Sequence, residues 1–92
     1  MKTEKLIKAL KSRVKGYQQA AERHQRYAER YQRYDAERYQ RYAEEHKEWA
    51  EEYQRYAEKC KQEAERYQRY AEEYEQKIKT LNEAISTLES EL

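Results

Sequence analysis

From Ala36 the chain repeats every seven residues, as AERYQRY, AEEHKEW, AEEYQRY, AEKCKQE, AERYQRY, AEEYEQK, IKTLNEA and ISTLESE, and ends on Leu92. A period of seven keeps equivalent side chains on one stripe of an α-helix, and apolar residues sustained at its first and fourth positions, a and d, are the signature of a coiled coil. Position a holds Ala36, Ala43, Ala50, Ala57, Ala64 and Ala71, then Ile78, Ile85 and Leu92; d holds Tyr39, His46, Tyr53, Cys60, Tyr67, Tyr74, Leu81 and Leu88. Upstream, Ile7, Val14, Ala21 and Ala28 occupy a, with Leu10, Tyr17, His24 and Tyr31 at d. The step from Ala28 to Ala36 is eight residues, so Asp35 is a skip residue, expected to relax the supercoil locally without ending the helix. The expected fold is all-α: one continuous helix over 1–92, aliphatic at 6–14 and 78–92, in an antiparallel alanine/tyrosine-rich coiled-coil dimer or tetramer.

A second aromatic column lies at the seventh position, g: Tyr27, Tyr34, Tyr42, Trp49, Tyr56 and Tyr70. It widens the stripe, so either Tyr at g folds over the flank of a dimer or two faces are buried in a larger assembly. Composition closes the other routes. Leu, Ile and Val number only nine and Phe is absent, too little apolar volume for a globular monomer of 92 residues. Charged residues reach 42%, yet 11 Tyr, no Pro and a single Gly do not describe a disordered chain. Ala, Glu, Gln, Arg and Lys dominate, and all are good helix formers. Glu22/Arg26, Glu29/Arg33, Glu37/Arg41, Glu51/Arg55 and Glu65/Arg69 stand at the favoured four-residue spacing.

Charge orients the helices. Residues 1–42 carry 12 Lys and Arg against 5 Asp and Glu, net +7, while 43–92 carry 8 against 14, net −6. Antiparallel neighbours oppose unlike halves, whereas parallel ones oppose like halves. Antiparallel pairing also sets each Ala level with a Tyr, one small and one large side chain per layer. One register serves the length: Ile7 with Leu88, Leu10 with Ile85, Val14 with Leu81, Tyr17 with Ile78, Ala28 with Tyr67, Tyr31 with Ala64, Tyr39 with Ala57 and Ala43 with Tyr53. Ile at a and Leu at d near the C-terminus instead suit a parallel dimer. An intrachain hairpin has the same charge complementarity, but the centre, AEEHKEWAEE, lacks Gly, Pro, Asn and Asp, so a hairpin is the lesser expectation. The Ala contacts resemble antiparallel alanine coils as a packing class, which identifies no family.

Few residues suggest chemistry. His24 and His46 lie about 33 Å apart along one helix and cannot share an ion there. Two His46 copies near a dyad, with Glu45, are a metal alternative that falls short of the usual three or four ligands. No nucleophile, base and orienting group converge and no Gly-rich phosphate loop occurs, so neither enzymatic activity nor a cofactor is expected. The basic half offers a nucleic-acid alternative, with Arg23, Arg26, Arg30, Arg33, Arg38 and Arg41 interleaved with Tyr. A basic helix before an Ile/Leu zipper resembles bZIP proteins, although AAERHQRYAER has that family's Ala pair without its Asn or the following Cys or Ser and Arg. Leu6, Ile7, Leu10 and Val14, flanked by lysines, form a face that suits an anionic membrane surface. A lone cysteine and the absence of a signal or transmembrane segment make the cytoplasm the default. The expected role is structural: self-association through the a and d stripe, spacing or presenting a surface to another protein, with recognition of a foreign helix as the variant.

Overall fold

The computed structural model describes all residues, 1–92. It is helical over 96% of the chain, with no strands, and its two long helices form a hairpin. The first comprises α1 (Lys2–Glu29), a π-helical segment (Arg30–Ala36) and α2 (Glu37–Glu45); after a turn that includes a single 3-10 stretch (Lys47–Trp49), α3 (Ala50–Ser90) forms the second. The hairpin replaces the one uninterrupted helix expected from the heptads. The break is at His46, whose φ of −122° and ψ of 79° leave the helical region. Its N–H donates to Tyr42 O at 2.9 Å, and its own carbonyl accepts the Trp49 N–H at 3.0 Å. No residue has a positive φ. The turn therefore needs no Gly, Asn or Asp, which is why composition around it gave no sign of a reversal.

The π-helical segment falls on the eight-residue step that contains Asp35. A wider turn absorbs one extra residue without ending the helix. Ala36, the next a residue, is consequently turned fully inward at 0% exposure. Asp35 Oδ1 lies 3.8 Å from Arg38 Nη2.

Two compact units divide the chain. In the terminal unit, residues 1–23 and 70–92, Ile7, Val14 and Ile85 are buried and Leu10, Ile78, Leu81 and Leu88 pack against them. The apolar N-terminal face is thus occupied by the C-terminal segment; only Leu6 of the four residues suited to a membrane surface stands exposed. Tyr17 meets Tyr74 at 5.7 Å between ring centroids, and Lys77 Nζ sits over both rings, at 5.7 and 5.3 Å. Lys11 Nζ reaches Glu89 Oε2 at 3.7 Å; both are exposed, so the pair contributes at most about 1 kcal/mol.

In the central unit, residues 24–69, Ala28, Ala36, Ala43, Ala57 and Ala64 are buried. Between them run Tyr and His rings. Tyr67 touches His24, Tyr27 and Tyr31 at centroid distances of 5.7, 5.2 and 5.7 Å. Tyr53 touches Tyr39, Tyr42 and His46 at 6.3, 5.5 and 6.2 Å. Small a residues give the rings space to cross the seam, and ring pairs at these separations add about 0.5–1.5 kcal/mol beyond area burial.

Candidate interaction surface

The heptad assigns each side chain to the seam or to the outside. Of the a and d residues, Ile7, Val14, Ala21, Ala28, Ala36, Ala43, Ala57, Ala64, Ala71 and Ile85 are buried. Leu10, Tyr17, His24, Tyr31, Tyr39, Ala50, Tyr53, Cys60, Tyr67, Tyr74, Ile78, Leu81 and Leu88 are half-buried. His46, at the turn, and Leu92, at the end, are exposed. These burials arise within one chain, between residues whose pairing the sequence assigned to neighbouring helices.

The g column flanks the seam: Tyr27, Tyr42 and Tyr56 each meet a ring of the opposite arm, at 5.2, 5.5 and 5.4 Å, and keep their outer faces exposed. In the central unit Tyr27, Tyr34, Tyr42, Trp49 and Tyr56 are exposed by 38–67%. They belong to both arms, and Tyr39 touches Tyr42 on its own arm at 6.3 Å and Tyr56 on the other at 5.4 Å. On the helix wheel g and e lie on opposite sides of the a and d seam. The e side here is glutamine-rich: Ala28, Glu29, Gln32, Arg33, Ala64, Glu65 and Gln68 line a shallow open groove of about 370 Å³. One side of the central unit is thus aromatic and the other amide-lined. The second aromatic column is readable in the sequence at g; what the sequence alone leaves open is that the seam closes within the chain and leaves the outer faces of this column exposed.

Electrostatics separate the units. The central unit holds eleven Lys and Arg against eleven Asp and Glu. In the terminal unit, 1–23 carries seven basic against two acidic residues and 70–92 carries two against six. Charge complementarity between segments therefore resides in the terminal unit. Arg23, Arg26, Arg30, Arg33, Arg38 and Arg41 are all exposed. None of the five Glu/Arg pairs at four-residue spacing is among the salt bridges seen, which include Met1 to Glu4, Lys11 to Glu89, Arg38 to Asp35 and Arg66 to Glu63. Exposed long side chains gain too little from such pairing to hold one geometry. Some cationic groups also rest on rings, Arg38 over Tyr39 at 5.3 Å, Arg66 over Tyr67 at 5.6 Å and Lys59 over Tyr56 at 5.9 Å, and Arg38 and Arg66 do so while paired with a carboxylate.

His24 stacks on Tyr67 inside the seam, whereas His46 lies at the turn against Tyr53. No group of three His, Cys, Asp or Glu side chains is placed to hold a metal ion. Burial, then the negative charge of Asp35, pushes the Cys60 thiol pKa up. No helix is long and apolar enough to cross a membrane. Comparison with family models, curated proteins and solved structures finds no match to the chain.

Proposed function

We propose that the chain is a structural, self-associating antiparallel coiled coil that spaces or presents a protein-interaction surface. The observation that carries this reading is the exposed aromatic column of the central unit. Five half-exposed aromatic side chains offer roughly 100 Å² each, about 500 Å² together. That is the size of a functional apolar patch. A standard interface takes about 800 Å² per partner, and the aliphatic stems of flanking Arg and Glu supply the difference.

Charge favours protein over polyanion as the occupant. Phosphate binding draws its affinity from net positive charge, and the central unit has none. The nucleic-acid reading keeps one supporting observation, the exposure of Arg23, Arg26, Arg30, Arg33, Arg38 and Arg41 beside Tyr27, Tyr34 and Tyr42. Against it, Glu29, Asp35 and Glu37 interleave with these arginines. The favoured partner is another copy of the chain, as dimer or tetramer, with a foreign amphipathic helix as the variant.

Light scattering from about 2 to 200 μM tests the proposal. A mass above the 11.5 kDa of one chain that rises with concentration is expected. The mass of a single chain throughout contradicts it. A single-stranded oligonucleotide bound at low salt, released at high salt and lost in Arg30→Glu with Arg33→Glu would favour the alternative.

A further inference from the structure

We infer that residues 24–69 have a second, two-chain form, in which the turn at His46–Trp49 straightens into helix and each arm packs against the opposite arm of another copy. This rests on the self-associating reading above and adds to the aromatic column a second surface that another copy can occupy: the Ala/Tyr seam itself.

The heptad does not stop at the turn. Ala43, Ala50 and Ala57 stay seven residues apart, with His46 at d and Trp49 at g between them. A segment serving only as a loop has no physical reason to hold that phase. Nor does it carry loop chemistry, for HKEW contains no Gly, Pro, Asn or Asp and no positive φ occurs. One residue, His46, has a backbone outside the helical region, so the rearrangement is concentrated in its torsions.

The pairing is symmetric about the turn. Tyr42 meets Tyr53, Tyr39 meets Tyr56 and Tyr27 meets Tyr67, at 5.5, 5.4 and 5.2 Å. Two straightened chains related by a two-fold axis through the old turn reproduce these contacts between chains, the condition for exchanging identical elements at low cost. They also gain. Trp49, 54% exposed in the hairpin, then flanks the layers around Ala43 and Ala50, and the turn regains the helix hydrogen bonds it leaves unmade. The opposing factor is the effective concentration of one arm at the other, millimolar for a short connection. A roughly hundred-fold gain at the turn moves the crossover to tens of micromolar.

Cys60 is the lone cysteine and a natural reporter. The test is pulsed dipolar spectroscopy of the full chain with a spin label on it. A hairpin monomer carries one label and gives no dipolar pair. In the two-chain form Cys60 lies level with position 36 of the second copy, so the two labels are 24 residues apart along the axis, about 36 Å. The expected result is a distance near 36 Å whose population grows with concentration. Inserting two glycines between Lys47 and Glu48 should lower that population at least ten-fold, because glycine favours the loop and penalises the straight helix. An exposed reporter, Cys60→Ala with Glu65→Cys, keeps the label out of the seam and is expected near 51 Å. A multimer whose Cys60 labels lie within about 25 Å, as stacked intact hairpins would place them, overturns the inference and leaves self-association standing. A distance near 36 Å unmoved by the glycines also overturns it. A single-chain mass with no dipolar signal at any concentration overturns both.

Discussion

Replacing Tyr67 by Ala probes the seam where its ring contacts converge. Complete burial of a large aromatic side chain makes truncation cost about 3–5 kcal/mol. Tyr67 is half-buried, so roughly half of that applies. Its contacts with His24, Tyr27 and Tyr31 add about 0.5–1.5 kcal/mol. Alanine's better helix propensity returns about 0.5 kcal/mol. The net loss is about 2.5 kcal/mol, equivalent to a fall of about 10–20 °C in Tm for a chain of this size. Tyr34→Ala is the matched control, since Tyr34 is 67% exposed and belongs to the g column; a change within about 0.5 kcal/mol is expected there. Urea and thermal unfolding followed by circular dichroism at a fixed low micromolar concentration measure both. Equal losses at the two positions, or a loss under about 0.5 kcal/mol for Tyr67→Ala, would refute the argument that rings crossing the alanine seam hold the arms together.

Ala71 is 0% exposed, so Ala71→Leu should overpack the terminal unit and destabilise it by about 1–3 kcal/mol in the same melts; an unchanged or higher Tm would show slack in the seam. Deleting Asp35 restores seven residues between Ala28 and Ala36 and should convert the π-helical segment to α-helix with Tm preserved to within about 5 °C, whereas deleting Glu58 should lower Tm far more because it puts Ala57 and Ala64 out of phase. The Cys60 thiol pKa is raised in the fold by burial first and Asp35 second. The folded state therefore holds the thiol proton more tightly than the unfolded chain, and the associated stability is present below the unfolded thiol pKa and lost as pH rises through the folded one. Alkylation of the folded chain should follow a pH profile displaced upward from that of the denatured chain, and Asp35→Asn should bring it part-way back; coincident folded and denatured profiles would contradict this.

Burial is the part of the fold most legible in the sequence, because a period of seven determines which side of a helix each residue occupies before any partner is known. Ala36 and Ala71 fall on the stripe and are fully covered. Tyr67 lies among His24, Tyr27 and Tyr31, the neighbours of Ala28, within one chain, whereas the sequence pairs Tyr67 with Ala28 between two. The hairpin is not legible. A seam between two halves of one chain and a seam between two chains have the same layers, so the heptad cannot tell them apart. Only the turn distinguishes them, and His46 makes it with torsions open to any L-residue. The Glu/Arg spacing misleads for a different reason: four residues bring two side chains to the same face but do not bring exposed groups into contact. At the candidate surface, the g column is readable as a list of residues, but its exposure follows from closure of the seam within the chain.

Isotope-edited nuclear Overhauser spectroscopy on a dilute sample tests the central claim, an Ala/Tyr seam closed within one chain. Labelled Tyr and Ala report it, mixed with unlabelled chain to separate intrachain from interchain contacts. At about 5 μM, measured by accumulation on a cryogenic probe, the account predicts intrachain cross-peaks between the rings of Tyr31 and Tyr67, whose centroids stand 5.7 Å apart, and between those of Tyr42 and Tyr53, at 5.5 Å. Helical circular dichroism without those intrachain cross-peaks would contradict it.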